Sequence, residues 1–222
     1  METQKGRLIV IEGTDGSGKT TQTELLLNRL AKENMSSEHM RFPQYETNFF
    51  GDLLRECLDG IHGDFIAIDP KIGSVIYACD RFESTGRIKQ WLSEGKIVVL
   101  DRYVSSNQIH QGGKIADEGK RAEFLDWLSR MEFEVLGVAK PDMVFYLDMP
   151  YEISKKLIEN RVGVKDTADM NFEYLKNSKE AGKYMLGRES SWVRIDCAPQ
   201  GELLSRESIH NLIWEKIKGI VA

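Results

Sequence analysis

The stretch Gly13-Thr14-Asp15-Gly16-Ser17-Gly18-Lys19-Thr20 combines residue types and spacing suited to phosphate chemistry. Glycines let successive backbone N–H groups turn inward around phosphate oxygens, and a helix opening at the end of the loop adds unpaired N–H groups and its positive dipole end. Lys19 is then placed to reach the β and γ phosphates of ATP, while the Thr20 hydroxyl coordinates Mg²⁺ and Thr21 continues the polar turn. Every fixed position of the G-x-x-x-x-G-K-[ST] pattern is filled. The alternative is a glycine-rich turn that binds nothing, but here the pattern stands between a strand-like run and a helical one, as phosphate binding requires.

A second constellation, Asp101-Arg102-Tyr103, follows the apolar run Ile97–Leu100. An acid at the carboxyl end of a parallel strand faces the ligand crevice, so Asp101 is a candidate to hold Mg²⁺ through water. Arg102 offers a planar fork for phosphate oxygens. Taken alone, the tripeptide also reads as a surface ion pair at a strand end.

These groups need a scaffold, and the periodicity supplies one. Leu8–Glu12 reads as a buried strand and Lys19 to about Lys32 as an amphipathic helix. The alternation returns with a helix near Val75–Ser93 and a strand at Ile97–Leu100, then a helix around Lys120–Leu136 and a strand at Met143–Leu147. Helices at Glu152–Asn160 and Phe172–Leu186, a strand at Trp192–Ile195 and a helix at Glu202–Ile220 complete it. This is the pattern of an α/β protein, a parallel sheet of about five strands with helices on both faces. One domain spanning 1–222 is expected, with Gly112–Gly119 and Arg161–Asp169 as loops over the site and a mobile lid at roughly 161–170.

Composition excludes several classes. The chain of 222 residues is 41% hydrophobic and 29% charged, without an apolar run long enough for a membrane span. Its net charge of −5 and dispersed basic residues carry no nucleic-acid footprint. The strand-like run beginning at Leu8 leaves no room for a secretory leader, so a cytoplasmic location is expected, with Cys57, Cys79 and Cys197 as reduced thiols.

Taken together, Ile11 to Thr21, Phe42-Pro43-Gln44-Tyr45, Tyr77 to Glu83, Asp101-Arg102-Tyr103 with Ser106-Asn107-Gln108, and Lys140-Pro141-Asp142 resemble the thymidylate kinase family in order and spacing. The resemblance runs from Leu8 to about Ile195. It implies the P-loop NTPase fold, ATP with Mg²⁺ as donor, dTMP as acceptor and a homodimer, with the stretches Phe49–Leu58 and Tyr77–Trp91 as contact surfaces. It implies further that Asp15 lies between donor and acceptor sites, although an Asp there also serves as a helix cap. Arg102 would clamp the acceptor phosphate, Phe42, Pro43 and Tyr45 would lie beside the nucleotide, and Tyr77 would stack on thymine. Arg81, on the helix face of Tyr77, could donate to a carbonyl at the base edge; without the resemblance the pair reads as an aromatic core position and a solvated arginine. Ser106, Asn107 and Gln108 would bind the acceptor, the two amides reading its pyrimidine edge.

The chain departs from the family in two places. Relatives carry a catalytic arginine in the phosphate loop or the lid, where this chain has Gly16 and Thr167. Arg161 and Lys165 are the candidate lid cations to take its place, although a lid charge also reads as simply solvated. His110 stands where many relatives have a tyrosine near the sugar. These departures keep two other readings open: a related kinase with another pyrimidine acceptor, and a nucleotide-binding regulatory protein without turnover. The Asn-Lys-x-Asp sequence of guanine-reading switches does not occur.

Overall fold

The computed structural model describes residues 6–160 and 172–221. The expected lid, with Arg161 and Lys165, lies outside the described residues. Five strands, β1 (Arg7–Glu12), β2 (Ser37–Arg41), β3 (Ile97–Asp101), β4 (Met143–Asp148) and β5 (Trp192–Asp196), form one parallel sheet in the order β2-β3-β1-β4-β5. Strand order reverses at β1, whose Ile11 pairs with Asp101 on one side and Phe145 on the other. A crevice therefore opens beyond the carboxyl ends of β1 and β3, where Gly13 and Arg102 follow.

The helices are α1 (Lys19–Lys32), α2 (Phe49–Leu58), α3 (Pro70–Ser93), α4 (Val104–Gly113), α5 (Glu118–Ser129), α6 (Tyr151–Glu159), α7 (Phe172–Arg188) and α8 (Arg206–Val221), with a π-helical turn at Arg130–Val135 after α5. Alternate residues of a strand point to opposite faces, and both faces are covered. Leu8 and Val10 pack with Leu125, Tyr146 and Met185 on one side. Ile9 and Ile11 pack with Leu26, Ile213 and Ile217 on the other.

Four stretches differ from the sequence expectations. β2 reads Ser-Glu-His-Met-Arg, with only Met40 buried, because an edge strand needs little apolar content. α4 is rich in small and amide residues and is a helix by virtue of its packing against α7. α3 starts at Pro70, ahead of Val75, because Asp69 caps it through Lys71 and Ile72 N–H groups. Gly112–Gly119 ends α4, makes a short turn over residues 114–117 and opens α5, so only half of it is loop.

Where α7 crosses β4, Gly182 leaves no space: a Cβ there would lie 2.4 Å from the Tyr146 ring. Gly182→Ala is therefore expected to cost about 1–3 kcal/mol, the usual range for overpacking. Thermal unfolding checks this as a fall in Tm of ~2–4 °C per kcal/mol.

Candidate active site

The phosphate loop joins β1 to α1 and depends on its glycines locally. Gly16 has φ +75°, and a Cβ there would lie 2.6 Å from the Ser154 carbonyl oxygen. Gly18, at φ 89°, is the N-cap of α1, so the cap position itself offers no side-chain acceptor to the first N–H groups of the helix. Lys19 is buried, and its Nζ donates to the carbonyls of Gly13 and Thr14 at 2.9 Å each. Asp15 Oδ1 stands 3.7 Å from the same ammonium. Burial, and then Arg102, push Lys19 down to about 8, against the pull of Asp15, Glu12 and Asp101. A polyphosphate on the loop would supply the missing countercharge.

Thr20 and Thr21 lie in the first turn of α1. The Thr20 hydroxyl donates to Asp101 Oδ2 at 2.8 Å, bringing the two expected metal-binding residues together. Asp101 Oδ1 is buried without a hydrogen-bond partner among the described residues. A hydroxyl beside a carboxylate with an uncommitted oxygen is a donor set that fits a hard cation such as Mg²⁺. No cluster of three or more His, Cys, Asp or Glu side chains could hold a metal among the described residues, so phosphates and water would have to complete the shell.

Arg102 follows β3 in a left-handed conformation, φ 69°, that non-glycine residues adopt mainly where the surroundings enforce it. Its Nη2 pairs with Asp15 Oδ1, its Nη1 donates to His110 Nε2 at 3.3 Å, and Glu12 Oε1 lies 3.9 Å from Nη1. Burial opposes its charge, but Asp15, Glu12 and Asp101 outweigh that and keep it firmly cationic.

Glu12 is the organising residue that sequence reasoning missed. Fully buried at the end of β1, it accepts the Gly13 N–H at 2.9 Å and the hydroxyls of Ser105 and Ser106 at 2.7 Å each. It thereby ties the loop to α4. An acid ending an otherwise apolar central strand was the available signal.

Beside Arg102 opens a cavity of about 520 Å³. Phe42, Pro43, Tyr45 and Tyr77 give it aromatic and apolar lining. Asp15, Arg102, Ser106, Asn107 and His110 also border it. The Phe42–Pro43 peptide is cis, and the Arg55 guanidinium lies over the Tyr45 ring at 5.5 Å. Asn107 donates through Nδ2 to the Ser74 carbonyl at 3.2 Å. Gln108 is buried in α4 but does not line the cavity.

Arg81 reaches the cavity in a way the sequence did not reveal. It is 2% exposed, and its Nε donates to Glu132 Oε2 at 3.2 Å while Nη2 pairs with Glu132 Oε1. Nη1, 3.5 Å from the Tyr103 carbonyl, is the least committed part of the fork. Glu132 lies on the π-helical turn and is itself buried. Nothing in its local sequence separates it from the solvated acids around it.

Comparison with known proteins identifies relatives of this chain. A family model described as thymidylate kinase matches residues 11–209. The probable thymidylate kinase of Methanocaldococcus jannaschii is 33% identical over 96% of this chain and 96% of its own. The Plasmodium falciparum thymidylate kinase is 29% identical over 98% of this chain and 92% of its own. A solved structure of thymidylate kinase from Candida albicans superposes with a TM-score of 0.75 at 22% identity, covering 97% of this chain and 92% of that one, and so shares its fold.

Proposed function

The chain belongs to the thymidylate kinase family, and we propose that it transfers the γ-phosphoryl of ATP to dTMP, giving ADP and dTDP for dTTP synthesis. The observation that carries the reading is Arg102, held by Asp15 and His110 between the phosphate loop and the aromatic cavity.

Little covalent chemistry is asked of the protein, because a phosphate oxygen of the acceptor is already a nucleophile at neutral pH. Positioning and charge neutralisation accelerate the in-line transfer. Lys19 draws charge from the β and γ phosphates, and Arg102 holds the acceptor phosphate. Thr20 and Asp101 would hold Mg²⁺, which when bound neutralises the phosphate oxygens. Arg161 or Lys165 adds the cation that Gly16 and Thr167 leave out. Tyr77 stacks on the base, and Arg81 Nη1 donates to the carbonyl of its edge.

The enzyme works as a homodimer in the cytoplasm. Phe49 on α2, with Ile72, Val75 and Phe82 on α3, leaves large apolar side chains exposed on the monomer, which supports a pairing surface there. No helix among the described residues is long and apolar enough to cross a membrane.

ADP production from Mg·ATP, measured with dTMP, dUMP, UMP, CMP and thymidine at equal concentration, tests the assignment. Greatest turnover with dTMP is the expected result. Preference for another monophosphate would move the specificity, and silence with all acceptors despite ATP binding would make the protein a regulatory binder. Arg102→Lys is expected to raise the KM for dTMP by ~10–100-fold, since one charge-assisted hydrogen bond contributes about 1.5–3 kcal/mol. Calorimetric affinity for ATP should stay at the parent value.

A further inference from the structure

His110 lies on α4 at the edge of the acceptor cavity, and its neighbours decide which of its nitrogens carries a proton. The Ser178 hydroxyl donates its single proton to the Tyr174 carbonyl at 2.8 Å within α7. Toward His110 Nδ1, 3.0 Å away, it can therefore only accept, so Nδ1 must carry hydrogen. Arg102 has donors and no acceptor, so its Nη1 at 3.3 Å requires a lone pair on Nε2. Both contacts are satisfied only by the neutral imidazole protonated on Nδ1.

The surroundings hold the ring in that state and place. Its ring stacks on Tyr174 at 5.5 Å between centroids and 18° between planes. Burial, and then the Arg102 charge, push His110 down to about 3, with Lys19 and Lys114 acting in the same direction and Asp15 against it. α4 and α7 are locked at close approach, since a Cβ on Gly113 would lie 2.9 Å from the Asn177 backbone. Ser178, one residue further along α7, is buried. Arg102 is anchored through both ends of its fork in this way, with a left-handed backbone, Asp15 pairing with Nη2 and His110 accepting from Nη1.

We propose that His110 is a positioning residue for Arg102, a one-directional hydrogen-bond bridge in which the guanidinium that holds the acceptor phosphate donates to Nε2 and Nδ1 donates to Ser178 on α7. The bridge rests on the phosphoryl-transfer reading for its consequence in catalysis, but not for its existence. It assigns the histidine to the phosphate clamp instead of to the sugar. A tyrosine at this position would carry its donor and its acceptor on a single oxygen, so it could not meet Arg102 and Ser178 from two separate ring atoms as the imidazole does.

Two measurements test the bridge. Imidazole ¹⁵N spectra at neutral pH, with the His110 signals identified by their loss in His110→Phe, should show a protonated Nδ1 and a lone pair on Nε2. Arg102→Ala should shift the Nε2 resonance. An imidazolium, a proton on Nε2, or an Nε2 signal indifferent to Arg102 would overturn the bridge, whether or not the protein turns over dTMP. The second measurement is a double-mutant cycle. Alone, His110→Phe should raise the KM for dTMP about tenfold with ATP affinity unchanged, and His110→Gln, which restores an acceptor, should recover part of it. In an Arg102→Ala background the same His110→Phe change should shift kcat/KM by less than about twofold, because its target has gone. An equal loss in both backgrounds would show that His110 acts on the substrate or on folding, and would overturn the positioning role. Absence of turnover in the unaltered enzyme would sink the kinase reading instead, leaving the spectra to decide the bridge.

Discussion

Lys19→Ala is expected to fold as the parent does and to lose about 10³-fold or more in kcat/KM for ATP and dTMP, the scale seen when one preorganised charge is taken from a transition state. The two halves of that expectation come from the same fact. The ammonium is buried, and that burial lowers its pKa to about 8, so the site is costly for the charge unless phosphates face it. Removing it gives up two hydrogen bonds to the carbonyls of Gly13 and Thr14 in the loop, while relieving a buried cation. Stability should change by no more than about 1–2 kcal/mol. The transition state, by contrast, loses a charge worth ~4 kcal/mol in rate, since each 1.36 kcal/mol is tenfold. Urea unfolding and the coupled ADP assay measure the two halves separately. Normal turnover by the variant would refute the assignment of the loop.

The elements that carry this prediction were legible because they are local. β1, the loop and α1 are an apolar run, a glycine turn and an amphipathic helix in direct succession, and β3 and β4 are buried runs that announce themselves by composition. Asp101 and Thr20 could be singled out separately, and the sheet order brings them within 2.8 Å. The rest depends on partners distant in sequence. Arg81 and Glu132 are 51 positions apart, and His110 and Ser178 are 68 apart. No window of sequence contains both members of either pair. The polarity of β2 and α4 misleads for a related reason: the first is an edge that needs little core, and the second is buried by helices contributed from elsewhere.

Glu132→Ala is expected to be the most destabilising single change in the cavity wall, costing about 3–5 kcal/mol, the range for removing one partner of a buried ion pair. Arg81 is 2% exposed and Glu132 0%, so the guanidinium left behind would have neither countercharge nor ready access to water. That is a large fraction of the ~5–15 kcal/mol that holds a typical domain together. The pair's net worth is a different quantity. Replacing both residues by apolar ones, as in Arg81→Met with Glu132→Leu, should restore most of the stability, because the desolvation of two charges is then avoided as well. The double variant also separates architecture from recognition. If Arg81 Nη1 reads the base, the double variant should fold, bind ATP and accept dTMP poorly, with its preference over CMP much reduced. Urea unfolding of the single and double variants, followed by the acceptor panel on the double, checks both expectations. A Glu132→Ala protein within about 1 kcal/mol of the parent would show that water reaches Arg81 after all. Undiminished preference for dTMP in the folded double variant would move base recognition to other residues of the cavity.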